Sequence, residues 1–224
     1  AQSMTQKPLE EEQIQLFFSD IEPLAASKVL VRMENETLSI GERILAQGLQ
    51  LTVRGQDKIG IIGPNGVGKS TLLAKLYQLL SGKREISLGF MPQDYQETLQ
   101  LDLSPVEFLS QTGHKEEIQK IQSHLASLNF SYPEMHHQIH SLSGGQQGKL
   151  LLLNLVLRKP NFLLLDEPTR NFSPTSQPEI RKLFANYSGG LVTVSHDRRF
   201  LKEVCTSIYS LTEHGLEVVD LQDL

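Results

Sequence analysis

Apolar residues recur along the chain in two rhythms, short unbroken runs and helical stripes, and their order predicts a layered α/β fold. Val29-Leu30-Val31 and Leu49-Gln50-Leu51-Thr52-Val53 read as strands, the second alternating with period two. Arg54-Gly55-Gln56-Asp57 reads as a turn, and Lys58–Ile62 as a buried strand. A glycine-rich loop follows. Leu72, Leu73, Leu76, Leu79 and Leu80 then keep helical spacing until Ser81-Gly82. Ser104-Pro105-Val106-Glu107 has the residues of a capping box with proline at N1. Ile118, Ile121, Leu125 and Leu128 share one face of a second helix. A third helix, from about Gln146 to Arg158, is apolar nearly all round and is expected to be buried; Pro160 ends it. Phe162–Leu165 and Gly190–Val194 read as further buried strands, and Ile208–Leu211 with Leu216–Val219 as a closing hairpin around His214-Gly215. Fully apolar strands alternating with helices predict a parallel sheet covered on both faces. Residues 1–28 are polar apart from Ile14, Leu16, Phe17 and Phe18, and read as a linker or edge element.

Composition narrows the classes. At 224 residues and 39% hydrophobic, the chain can bury a sizeable core. A formal net charge of −5 gives no general nucleic-acid footprint. The one cysteine, Cys205, excludes an internal disulfide and reads as a core thiol beside Phe200, Leu201 and Val204. The longest apolar runs, Leu150–Leu153 and Phe162–Leu165, are too short to span a bilayer. Glu10-Glu11-Glu12 sits where a signal peptide would need apolar residues, so the expectation is a soluble, cytoplasmic chain. Met4 behind Ala1-Gln2-Ser3 suggests an excised piece of a longer protein.

Three motifs carry chemistry. Gly63-Pro64-Asn65-Gly66-Val67-Gly68-Lys69-Ser70 is a GxxxxGK[ST] loop between a buried strand and an amphipathic helix. Four fixed positions match by chance in a chain this long on the order of once in a hundred. Glycines let backbone N–H groups converge on phosphate oxygens, and the helix from Lys69 turns its positive end to the same anion. Lys69 is expected at the terminal phosphates and Ser70 on Mg²⁺. Next, Phe162-Leu163-Leu164-Leu165-Asp166-Glu167 delivers two carboxylates to the carboxyl end of a strand. An acidic pair there is often simply solvated, but beside a phosphate loop Asp166 suits a metal and Glu167 an attacking water. The third, Leu142-Ser143-Gly144-Gly145-Gln146, opens the buried helix. A plain helix cap would account for Ser143 but not for the glycine pair. A second anion cradle makes sense if it serves a nucleotide held by another copy of the domain. His136 and His140 fall one helical turn apart without a third ligand, and Lys115-Glu116-Glu117 reads as a solvated face, as does Glu10-Glu11-Glu12.

With these motifs in this order, joined by Asp166-Glu167-Pro168-Thr169 and Ser195-His196-Asp197, the chain from about Val29 onward resembles the ATP-binding cassette (ABC) ATPases. The resemblance implies an α/β P-loop fold with a RecA-like core, an antiparallel β subdomain, and a small helical subdomain from about 104 to 142. The cassette would cover 29–224. It implies Mg²⁺-dependent hydrolysis of ATP. By position, Gln93 in Phe90-Met91-Pro92-Gln93 matches the glutamine that touches Mg²⁺ and the attacking water. His196 matches the histidine that senses the γ-phosphate, Thr71 follows Ser70 in the phosphate site, and Ile40 stands where an aromatic usually stacks on adenine. Ser143, Gly144, Gly145 and Gln146 would complete the site of a second cassette. Within the family the chain is similar to ABC-F proteins, soluble tandem cassettes that act on the ribosome in translation or antibiotic resistance. Ser195-His196-Asp197-Arg198-Arg199-Phe200-Leu201 carries that likeness, together with the 48 residues between Gln93 and Leu142 and the polar lead-in. The alternative partner is the membrane subunit of a transporter. ABC-F proteins generally read Asn-His-Leu-Asp after the Asp-Glu-Pro-Thr motif, whereas Arg170-Asn171-Phe172-Ser173 stands here.

Overall fold

A computed structural model describes residues 16–18 and 21–224. Ile14 and Glu10-Glu11-Glu12 of the lead-in lie outside the described residues. Two twelve-residue strands, β1 (Val29–Ile40) and β2 (Arg43–Arg54), form an antiparallel hairpin of their own. The sequence pattern reveals only the far ends of both. The polar run Glu34-Asn35-Glu36 hides the middle of β1, where Asn35 takes φ 49 at a register shift between Met33 and Glu36. Leu30, Val31, Met33 and Leu38 from β1, and Ala46, Leu49, Leu51 and Val53 from β2, are buried.

The remaining strands make one six-stranded sheet. β3 (Lys58–Ile62) is followed by α1 (Lys69–Leu80), and β4 (Leu88–Met91) by α2 (Pro105–Leu109), α3 (Lys115–Ser127), α4 (Tyr132–His136) and α5 (Gly144–Leu157). Then come β5 (Phe162–Asp166), α6 (Gln177–Ala185), β6 (Gly190–Val194), α7 (Arg198–Val204), β7 (Ser207–Thr212) and β8 (Gly215–Val219). The order across the sheet is β4-β5-β6-β3-β7-β8, parallel except for the β7–β8 hairpin. Alternate residues of β5 serve opposite faces. Leu163 and Leu165 join a core with the α5 leucines, Phe184 and Phe200, whereas Phe162 and Leu164 join the hairpin and the α1 leucines. Burying each such leucine contributes about 1.5–3 kcal/mol, so the sheet is locked from both sides.

Capping explains where the helices begin. Ser104 and Glu107 form the expected capping box ahead of α2. Ser143 and Gln146 form another, which starts α5 at Gly144, two residues before the sequence pattern places it. The strand β4 and the helices α4, α6 and α7 are not evident from periodicity, because each is only four to nine residues long. Two minor readings change. α4 ends at His136, so His136 and His140 do not share a helix; they contact Gln122 and Gln138 instead. Among the described residues no group of three His, Cys, Asp or Glu side chains converges as a metal site. Glu117 is more than a solvated charge. Its carboxylate accepts from the Ser110 hydroxyl and the Gln111 and Thr112 amides, and the Ser110 hydroxyl foremost holds its pKa down at about 2. No helix among the described residues is long and apolar enough to cross a membrane.

Cys205 follows α7 and is 5% exposed; burial pushes its thiol up to about 12, against the opposing charge of Lys58. A thiol reacts as its thiolate. The native chain should therefore resist maleimide at neutral pH for hours, and one thiol should label promptly in denaturant. Rapid labelling of the native chain, read by mass spectrometry, would contradict this burial.

Candidate active site

The loop 63–68 joins the carboxyl end of β3 to the start of α1. Gly68 is the N-cap residue, at φ 113 and ψ 19, a conformation open to glycine and strained for other residues. A Cβ there would also lie 3.0 Å from Leu45 and 3.1 Å from Leu38 of the hairpin. No acidic side chain occupies the first turn of α1 and no side chain caps it, which leaves its first amides to an anion.

Lys69 is 7% exposed and turns back into the loop. Its Nζ donates to the Gly63 carbonyl and, at 3.4 Å, to that of Pro64, and lies 3.1 Å from His196 Nε2. Burial lowers its pKa, while Glu167 and Asp166 pull it up. The Ser70 hydroxyl donates to Asp166 Oδ2 at 2.8 Å. Asp166 closes β5 at 6% exposure, and its other oxygen, Oδ1, is buried with no hydrogen-bond partner among the described residues. Burial pushes this carboxyl up; the Ser70 hydroxyl, Lys69 and Arg170 oppose it. A buried carboxylate oxygen with spare lone pairs, beside a hydroxyl, is a donor set suited to a hard divalent cation such as Mg²⁺.

Glu167 follows at φ 50, the left-handed region, which costs a non-glycine residue about 1–3 kcal/mol. Its amide donates to Val194 O of β6 at 2.8 Å, and its carbonyl accepts from Arg170 N at 3.1 Å, closing a turn. The Thr169 hydroxyl pins that turn to Asp197, which in turn caps α7. The Glu167 carboxylate accepts from His196 N at 3.2 Å and lies 3.4 Å from His196 Nε2, which is itself 3.0 Å from Asn65 Oδ1. His196, just past β6, thus bridges the phosphate loop, Lys69 and Glu167.

These groups face one cavity of about 500 Å³. Its walls bring together Ile40, Asn65, Gly66, Gly68, Lys69, Ser70, Thr71, Gln93, Asp166, Glu167 and His196. Gly63 and Pro64 take part through the carbonyls that hold Lys69, while Val67 packs toward the hairpin core. Arg43, Leu45, Arg170 and Val194 also line the cavity, and no sequence motif singles them out. Arg43 could have been found from its neighbour: a tight turn pairs it with Ile40, which is 59% exposed at the hairpin tip.

The third motif is elsewhere. None of Ser143–Gln146 lines that cavity; Gly144 borders a separate one with Gln93, Tyr95 and Gln147. Ser143 Oγ accepts from Gln146 N at 3.2 Å, and the Gln146 side chain accepts from Ser143 N and donates to Glu134. A Cβ on Gly144 or Gly145 would meet nothing within 4 Å, so the glycine pair borders open space. Ser173 bonds locally to Thr175 and Ser176. The geometry therefore offers a polyphosphate cradle with hard-cation donors and a carboxylate–histidine pair, and a second helix-start motif that stays out of that cavity.

Comparison with known proteins agrees with this arrangement. The family described as ABC transporter matches residues 46–170. "Probable ATP-binding protein YheS" of Escherichia coli (strain K12) is 31% identical over 210 residues, covering 91% of this chain and 33% of that protein. "Putative ATP-binding protein YdiF" of Bacillus subtilis (strain 168) is 31% identical over 220 residues, covering 94% and 34%. "ABC transporter F family member 2" of Arabidopsis thaliana is 25% identical over 223 residues, covering 96% and 33%. The chain thus spans about a third of the length of these relatives. Among solved structures, "Dimeric structure of a post-hydrolysis state of the ATP-binding cassette MJ0796 bound to ADP and Pi" superposes with a TM-score of 0.70 at 20% identity, covering 85% of this chain and 98% of that one.

Proposed function

The chain belongs to the ATP-binding cassette family as an ABC-F-like ATPase cassette, and we propose that it is the second of two cassettes in a longer protein that acts on the ribosome. In this reading residues 1–28 lead in from a linker, 29–224 form the cassette, and about 104–142 are its helical subdomain.

The reaction follows from the residues around the cavity. The loop amides and Lys69 bind the phosphates, with Lys69 exchanging its carbonyl partners for phosphate oxygens. Ser70, Gln93 and Asp166 would hold Mg²⁺, for which the unpartnered Asp166 Oδ1 is the supporting observation. When bound, the ion supplies positive charge at the β- and γ-phosphate oxygens. Glu167 orients and deprotonates the attacking water, and His196 reports the γ-phosphate to Glu167 and Asn65 through its existing contacts. Ile40 gives adenine apolar contact only, so base selectivity is weak.

The open glycine pair carries the requirement for a partner. Ser143–Gln146 is out of reach of its own chain's cavity and, on a second cassette, would present helix-start amides to the terminal phosphate. The dimeric MJ0796 cassette is consistent with such pairing. For the ribosome, the support is the Ser195–Leu201 stretch and the name "ABC transporter F family member 2". The second reading, a transporter motor, is favoured by the family description and by the word transporter in that same relative's name.

One fractionation separates the two. The full-length parent, with Glu167 and its counterpart in the other cassette changed to Gln, should co-sediment with ribosomes when ATP is present. This cassette, at a net charge of −5, brings no basic surplus for simple adhesion to RNA, and in this reading the parent's binding should require ATP rather than low salt. Recovery only in the membrane fraction would overturn the ribosome reading and favour the transporter motor.

A further inference from the structure

Of the cavity residues that neither the sequence motifs nor the proposed mechanism uses, Arg170 is the charged one next to the acid pair. It follows Glu167 by three residues, and its amide closes the turn on the Glu167 carbonyl at 3.1 Å. The turn is fixed on its other side by Thr169 to Asp197, and the Gln177 side chain donates to the Thr169 and Phe172 carbonyls. The backbone of Arg170 is therefore set by the same strained turn that sets Glu167. Its side chain is exposed and borders both the cavity of Lys69 and Ser70 and the adjoining one between Gln93, Glu167 and His196. Among the described residues the guanidinium makes no hydrogen bond or ion pair, although two carboxylates line the same cavity. Its charge acts on Asp166, but none of the five donors of its fork is engaged in a hydrogen bond among the described residues.

Charge says what it would take. At the far end of the cavity Asp166 and Glu167 bring two carboxylates against one buried cation, Lys69. A terminal phosphate adds roughly −1.5 to −2 at neutral pH. Even with Mg²⁺ held there, two carboxylates and a terminal phosphate would outweigh the ion and Lys69, and Arg170 is a further cation that lines that end. A planar guanidinium matches two phosphate oxygens at once and keeps its charge at any working pH. We propose that Arg170 binds the terminal phosphate of ATP bound to its own chain, and so sets the preference of the site for ATP over ADP. The proposal rests on the nucleotide reading above and adds a specificity-determining residue to it.

The test measures ATP and ADP affinity separately. Glu167→Gln is placed in every protein so that ATP is not consumed, and MgATP and MgADP each displace a fluorescent nucleotide at concentrations where sedimentation shows a monomer. With Arg170→Ala, MgATP affinity should fall about tenfold or more, the loss expected of a charged hydrogen-bonded contact, while MgADP affinity changes less than about threefold. Arg170→Lys should recover part of the loss. Equal losses for both nucleotides, or no loss for ATP, would overturn the proposal. So would an ATP effect seen only once the chain dimerises, since the guanidinium would then serve a partner's phosphate. If the protein that keeps Arg170 binds neither nucleotide, the nucleotide reading itself fails, and this proposal with it. Unchanged melting temperatures in the variants exclude misfolding as the cause.

Discussion

Glu167→Gln should bind MgATP as tightly as the unaltered chain and hydrolyse it at least about a hundredfold more slowly, the low end of what a positioned general base contributes. The exchange is nearly isosteric. Its amide oxygen can still accept from His196 N, now 3.2 Å from Glu167 Oε2, so the link to the histidine survives. The backbone at φ 50 is held by Val194 O and by the turn to Arg170, neither of which involves the carboxylate. What disappears is the base. With hydrolysis blocked and the glycine pair of a second copy free to dock, ATP should hold two chains together. Sedimentation would show a dimer with ATP and a monomer with ADP. Turnover close to that of the unaltered chain would remove Glu167 from the chemistry. A monomer with rapid turnover strictly linear in protein concentration would remove the second cassette from it.

Lys69→Ala should weaken MgATP and MgADP together, by about 1.5–3 kcal/mol or roughly ten- to a hundredfold, the net worth of a hydrogen bond to a charged group. Both nucleotides suffer because Lys69 lies at the loop itself, next to the Gly63 and Pro64 carbonyls. This sets it apart from Arg170, whose loss should spare ADP. The variant also removes the contact of Nζ with His196 at 3.1 Å, so the histidine would keep only Asn65 and Glu167 as partners. Titration calorimetry giving equal affinity in the variant would refute the role assigned to Lys69.

What the sequence made legible was whatever lies contiguously on the chain. The phosphate loop, the Asp166-Glu167 pair and Ser143–Gln146 are each continuous runs, and each emerges at an element boundary because capping and strand ends are local properties. The central strands were legible because burial on both faces makes them almost continuously apolar, with Lys58 and Asp166 only at their ends and Thr193 the one polar residue inside. The hairpin was half hidden, since β1 turns one face to solvent and breaks its alternation at Asn35. β4 is four residues long and contains Gly89, too little for a period to register. Arg43 and Arg170 were missed as cavity residues for another reason. A single arginine has no pattern, and only the tight turn after Ile40 and the turn after Glu167 bring them to the cavity.

The alternation of β5 between two cores has a consequence for how this chain can change length. Deleting one residue from Phe162–Leu165 would exchange the partners of every remaining leucine, sending Leu163 into the hairpin core and Leu164 toward α5. The same deletion would draw Asp166 away from Ser70 and rotate Glu167 off Val194. The strand thus acts as a ruler fixed at both faces, with the acid pair as its end mark. Length variation can collect instead in the exposed stretch around Gln111–His114 between α2 and α3, where added residues would disturb the local turn on Glu117 but neither core nor the Asp166-Glu167 pair.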